Sequence, residues 1–304
     1  MSLPTDTCIF HISTRGAAAA LRQLPAYQAP SLASEGFIHF SRAHQVHGVV
    51  RAFYAGQSDL ALLVVDAGLL SSPLKYEAPA HPAGAGDPAE IPSDQLFPHL
   101  YGPLNTSAIV DVVDVARFDG MPVHPDTAAM LRHYRFDRLP VEGTLYRSTW
   151  RSQENAGPLS DVLGGGGGPA GTAMIGLYSE SPESLSCFHR LAYDEVWHVY
   201  GGDPFVLVLL RPDGRSEEVL MGTNPAAGQR VQCVVPAGVW QAGSLVPGGR
   251  YALFGCTMAP GFTGGCFEAG IAAELIAQYP AQAQTIRRLA VNGNEQHMPA
   301  GFAS

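Results

Sequence analysis

The sequence predicts two domains, an α+β domain over residues 1–121 and an all-β domain over 122–290, followed by a tail at 291–304. Three observations lead there. The chain has 304 residues, longer than the roughly 100–150 of a typical single domain. Strand and helix signals alternate up to MPVHPDT at 121–127. Beyond it, short strand-like runs follow one another between Gly/Pro turns, the pattern of a sandwich or barrel.

In the first half, CIFHIS (8–13) reads as a strand and GAAAALRQL (16–24) as a short helix of strong helix formers. GFIHFS (36–41) is a second strand, and Ser41 is placed to cap a following helix in which Val46, Val49, Val50 and Phe53 share a face. DLALLVVDA (59–67) is apolar throughout, as in a strand buried on both faces. Residues 79–94 read as loop, and AIVDVVDVARF (108–118) alternates like a half-exposed strand.

Asp126 is expected to cap the helix DTAAMLRHY that opens the second half. Eight strands follow, at 143–152, 172–179, 184–191, 194–200, 204–210, 217–222, 229–236 and 251–259. The glycine run at 164–168 lacks the Lys-Ser/Thr of a phosphate loop and reads as a surface loop. A helix over 272–290 breaks at Pro280, and NGNEQHMPAGFAS reads as a disordered tail.

Composition narrows the function. Hydrophobic residues are 46% and charged ones 15%, enough for packed cores. The formal charge of −9 argues against a general nucleic-acid binder, which needs clustered cations. No apolar run reaches the roughly 18 residues of a membrane span, and MSLPTDTCIFHIS lacks a basic-then-apolar leader. Cysteines 8, 187, 233, 256 and 266 include no C-x-x-C pair and read as free thiols. The expectation is a cytoplasmic protein with a small-molecule ligand and neither nucleic acid nor membrane as partner.

The segments LPVEGTLYRSTWRS, FHRLAYDEVWHVYGGDP, VVPAGVWQAG and GCTMAPGF, in that order, make residues ~126–285 resemble an uncharacterised branch of the cupin (RmlC-like) superfamily. The resemblance implies a double-stranded β-helix, or jelly roll, around a cavity, paired as a homodimer. Metal-binding cupins use H-x-H, a following Glu, and a later His after P-x-G. This chain keeps His189 and Glu195, but has Leu191 and Gln241 where the other imidazoles belong.

Three readings of the pair stay open. A divalent transition metal on His189 and Glu195 is one. A metal-free pocket is another, resembling the epimerase and isomerase cupins of nucleotide sugars, with His189 as base and Glu195 as its partner. The plainest is a pair of hydrogen-bonded barrel residues. His198 is a candidate replacement ligand, although strand alternation turns it away from Glu195. Arg147 and Arg151 share a face by alternation and suit a carboxylate or phosphate, against the plainer reading of a solvated face. Trp240 is either a stacking surface or a core filler. Cys256 reads as a buried structural thiol.

IFHIS, SLASEGFIHFS, LALLVVDAG and FPHLYGPLN make residues ~8–115 resemble a second uncharacterised bacterial family, related to the ADP-ribosyltransferase and tRNA 2′-phosphotransferase fold. That implies a nucleotide-shaped cleft near His11, His39 and Ser41, with His99 in the narrower family's own motif. The phosphotransferase arginine before the second-strand His is missing, and Glu35 stands in that stretch. His44 and His47 read as a solvated helix face. The functional candidates are therefore a sugar-ligand isomerase or epimerase in the cupin half, nucleotide or ADP-ribose processing in the first half, and a non-enzymatic ligand-binding module.

Overall fold

A computed structural model describes residues 6–21, 23–79, 91–157, 168–291, 293 and 295–303. The chain divides into two compact units, Met1–Arg135 and Phe136–Ser304. Of the two expected loops, residues 80–90 and 164–167 lie outside the described residues.

The first unit contains β1 (Cys8–Thr14), α1 (Arg15–Leu21), β2 (Ala26–Tyr27), α2 (Pro30–Ser34), β3 (Ile38–His39), α3 (Val46–Phe53), β4 (Leu60–Asp66), β5 (Leu74–Glu77), β6 (Phe97–Leu100), β7 (Leu104–Asn105), β8 (Ile109–Asp114) and α4 (Pro125–Tyr134). Two three-stranded sheets run β1-β4-β8 and β3-β6-β5, and β2 pairs with β7. β4 is apolar throughout because it is the middle strand and every residue of it is buried. Ile9, Leu63 and Val65 pack there with Ala18 and Leu21 of α1.

Three expectations change in this unit. Of GFIHFS, only Ile38 and His39 form strand, and the register sets His39 opposite His99. Ser41 does not cap the next helix: its N–H and C=O are engaged by Phe10, and a short 3-10 turn at Ala43–Gln45 precedes α3. α4 is capped by His124, whose Nδ1 accepts from the Asp126 N–H at 3.2 Å, so Asp126 sits inside the first turn. The compact first unit extends to Arg135 and takes in this helix, whose Arg132 reaches the buried Asp66 carboxylate at 2.7 Å.

The second unit is β9 (Asp137–Arg138), β10 (Leu145–Arg151), β11 (Thr172–Ser179), β12 (Ser186–Leu191), β13 (Glu195–Gly202), β14 (Phe205–Leu210), β15 (Ser216–Met221), β16 (Gln232–Val235), β17 (Trp240–Leu245), β18 (Tyr251–Met258), β19 (Phe267–Ala269), α5 (Ala272–Gln278) and α6 (Ala283–Leu289). A six-stranded sheet runs β16-β13-β18-β11-β10-β9, and a five-stranded one β15-β14-β17-β12-β19. Their ladders are antiparallel, as in a jelly roll. Tyr178, Trp197 and Phe254 of the first sheet pack against Phe205, Leu207 and Met221 of the second, so the core lies between the two.

β17 was not foreseen. Its sequence WQAGSL is poor in β-branched residues, yet it is held on both edges by β12 and β14. The tail also departs from the expected disorder. Met298 is 7% exposed within the core. The backbone pairs Ala269 N–H with Gln296 O at 2.7 Å and Gly264 N–H with Phe302 O at 3.1 Å. Two apolar anchors in a polar stretch are too sparse to give a periodic signal, yet they dock it. Among the described residues, no helix is long and apolar enough to cross a membrane.

Candidate functional site

The second unit contains a cavity that opens to solvent. His189, Glu195, Trp197, Leu191, Cys256 and Glu142 are among its lining residues. A bulge places His189. Between Ser186 and His189, β12 spans three steps while β17 spans two, from Gly243 to Gln241, so His189 sits opposite Gln241. The ring is 2% exposed, and Nδ1 lies 2.8 Å from the Cys187 carbonyl. A carbonyl only accepts, so Nδ1 carries a proton, and in the neutral tautomer the lone pair lies on Nε2. Phe267 stacks on the ring at 5.3 Å.

Glu195 opens β13 and is 7% exposed. The Gln241 amide donates to its Oε2 at 2.8 Å, and the Trp197 indole N–H donates to Gln241 Oε1 at 2.9 Å, which fixes the amide's orientation. Burial pushes the Glu195 carboxyl above its ordinary range, and the Glu142 charge adds to this. The His189 charge and hydrogen bonds from Gln241 and the Cys256 thiol oppose it. The Cys256 thiol is held well above the ordinary thiol range by burial and the neighbouring carboxylates, so it stays protonated and non-nucleophilic.

The donor set does not fit the metal centre of a metal-binding cupin. Gln241 uses its oxygen on Trp197 and its nitrogen on Glu195, and Leu191 contributes an apolar wall. Among the described residues, no three His, Cys, Asp or Glu side chains are arranged to hold a metal ion.

Glu142 was missed by sequence reading. It lies in the turn before β10 and is 5% exposed. The Thr144 hydroxyl donates to its Oε1 at 2.5 Å, Thr144 meets Ser186 Oγ at 2.8 Å, and Ser186 meets the Tyr178 hydroxyl at 2.6 Å. Gly243 makes room for this chain, since a Cβ there would overlap the Tyr178 hydroxyl. The only advance signal was a glutamate in an otherwise apolar turn, LPVEG.

The remaining candidates separate. A register shift between Ser148 and Trp150 breaks the alternation of β10, so Arg151 joins Ser148 at the cavity while Arg147 does not, against the expectation that the two arginines share a face. Arg151 Nη1 donates to Ala303 O at 3.2 Å. His198 is not a cavity residue; its Nε2 meets Thr257 Oγ1 at 2.8 Å, as strand alternation implied. Trp240 is buried outside the cavity, with the Arg190 guanidinium 4.6 Å above its ring.

In the first unit, three of the expected histidines meet. His11 Nδ1 donates to the His39 carbonyl at 2.8 Å, and the His39 and His99 rings stand edge to face at 5.3 Å. His39 Nε2 lies 3.0 Å from Glu35, and His99 Nδ1 lies 3.1 Å from Glu77. Phe37 stacks on His99 at 4.1 Å. Burial lowers the His11 and His99 imidazoles below their ordinary range. Ser41 is buried, with its backbone paired to Phe10.

Residues 128–269 match the family model described as Cupin superfamily (DUF985), and residues 12–112 match the one described as Protein of unknown function (DUF952). Among solved structures, the chain is similar to protein SO0799 from Shewanella oneidensis, with 27% identity over 54% of this chain and 97% of that one, TM-score 0.47. It is similar to a hypothetical protein from Leishmania major, with 27% identity over 54% and 98%, TM-score 0.47. It is also similar to protein CC0527 from Caulobacter crescentus, with 30% identity over 40% and 99%, TM-score 0.30. No curated protein matches it. The chain thus joins an N-terminal α+β domain of the DUF952 family to an all-β domain of the cupin superfamily, in its DUF985 branch.

Proposed function

We propose that the cupin cavity binds a small polar, sugar-like or nucleotide-sugar-like molecule and moves a proton on it without a metal, with His189 as base and Glu195 as its partner. The observation that supports this most is the fixed tautomer of His189: the Cys187 carbonyl holds Nδ1–H, which leaves Nε2 as the basic atom on a cavity residue. Gln241 and Trp197 lock the neighbouring carboxyl, as proton transfer at a set position requires. A cytoplasmic homodimer joined through the cupin unit goes with this reading.

The test is hydrogen exchange at carbon. Nucleotide-linked keto sugars are incubated with the protein in D2O, and loss of the C–H signal beside the carbonyl is followed by NMR. Exchange is expected with the parent and a fall of about 10²-fold or more with His189→Asn. Equal exchange in the two proteins sinks the reading. Binding without exchange in the parent leaves the non-enzymatic ligand-binding module instead.

A second reading, nucleotide or ADP-ribose binding by an ADP-ribosyltransferase-like first unit, draws support from the convergence of His11, His39 and His99. NAD or ADP-ribose at millimolar concentration is expected to shift the ring resonances of these histidines. Unmoved resonances count against it.

A further inference from the structure

The charged side chains lining the cupin cavity are unevenly placed, with carboxyls buried inside and a guanidinium at the exposed edge. Glu142 and Glu195 line the cavity at 5% and 7% exposure, where a charge is costly without a counter-charge. Among the described lining residues the only Lys or Arg is Arg151. Its side chain is exposed, near the end of β10, and tied to the Ala303 carbonyl.

The walls point the same way. Tyr146, Trp197, Phe262 and Phe302 line the cavity, and aromatic faces attract organic cations in a desolvated site. The interior therefore offers negative charge and π-faces, while the exposed edge offers a guanidinium suited to a carboxylate or phosphate. A neutral sugar uses neither end.

Resting on the reading of this cavity as a sugar-ligand site, we propose that its ligand is a zwitterion, with an amine seated at Glu142 and an anionic group at Arg151, and that an amino-sugar phosphate is the class that fits. The amine supplies a counter-charge beside Glu142 and donates hydrogen bonds to its buried side chain. The phosphate stays at the solvent edge, where its desolvation cost is small.

The experiment is isothermal titration calorimetry on the full-length protein with four probes: glucosamine 6-phosphate, glucose 6-phosphate, glucosamine and N-acetylglucosamine 6-phosphate. Glucosamine 6-phosphate is expected to bind about tenfold or more tightly than either phosphate that lacks the charged amine. Glu142→Gln keeps the acceptor for Thr144 and is expected to abolish that preference while unfolding at a similar temperature. Arg151→Met is expected to bring glucosamine 6-phosphate down towards glucosamine.

Equal binding of glucose 6-phosphate and glucosamine 6-phosphate overturns the proposal and leaves the sugar site standing. A preference that survives in a folded Glu142→Gln overturns it too. If no sugar binds, phosphoethanolamine separates the two ideas: binding that depends on Glu142 upholds the zwitterion site and removes the sugar, and silence removes both.

Discussion

The two units each gather titratable groups into a cluster and treat them differently. In the first, the imidazoles of His11, His39 and His99 each have a hydrogen-bond partner nearby, respectively the His39 carbonyl, Glu35 and Glu77. In the second, Glu195 and Glu142 belong to a cavity with room for a molecule, while Gln241 and Thr144 hold one oxygen of each. The contrast teaches that a buried titratable group is not by itself a site. The histidine cluster is close to internally satisfied, whereas the carboxylates face space that something else can fill.

The largest effect is expected from Phe254→Ala. Phe254 is fully buried, stacked on Trp197 at 5.0 Å and tilted against Tyr178 at 4.5 Å. Trp197 is the donor that orients Gln241. A cavity here is expected to cost about 3–5 kcal/mol. Hydrogen exchange read peptide by peptide should show the loss in β11, β13 and β18, with β1 and β4 of the first unit unchanged. Loss of protection in both units alike would mean that the two unfold together.

A smaller effect is expected from Gln241→Leu. The substitution leaves the Trp197 N–H and the Glu195 carboxyl without the amide between them, and about 1–3 kcal/mol is the expected cost. If Gln241 were a metal ligand rather than a strut, the parent would lose stability to a chelator and the variant would not. The expected result is that a chelator leaves both melting temperatures unchanged. A drop in the parent alone would overturn the metal-free account.

How far the sequence reaches follows from these same residues. β4 was legible because a run of apolar residues signals burial on both faces without help from the rest of the fold. His189 and Glu195 were legible because the motif that carries them is local. β17 was not, since Trp, Gln, Ala, Gly and Ser form a strand there only because β12 and β14 supply both its edges. Arg147 and Arg151 were separated by a bulge, and bulges have no reliable sequence mark. Glu142 was invisible because its role comes from residues far along the chain, Ser186 and Tyr178 among them.

The smallest effect, and the sharpest discriminator, is the pH dependence of each unit. Burial raises the Glu195 carboxyl from its ordinary 4.5, so the fold favours the protonated form. The stability this group contributes is complete below about 4.5 and is lost as pH rises through the folded pKa. Burial lowers His11 and His99 from 6.5, so there the fold favours the neutral ring. Their contribution is complete above about 6.5 and is lost as pH falls through the folded values. For Glu77, burial raises the carboxyl, but hydrogen bonds from Tyr101 and His99 outweigh it and hold the group below its ordinary range, which also favours the first unit at higher pH. Lowering the pH should therefore weaken the first unit once it falls below about 6.5, and strengthen the second over the range between the folded Glu195 pKa and about 4.5. Protection factors, corrected for intrinsic exchange, should move in opposite directions in β1 and β13. Glu195→Gln should flatten the slope in β13 and leave β1 as it was. If the slope in β13 is unchanged by that substitution, Glu195 is not the group that titrates, and the carboxyl on the cavity wall loses its place as the proton-holding partner of His189.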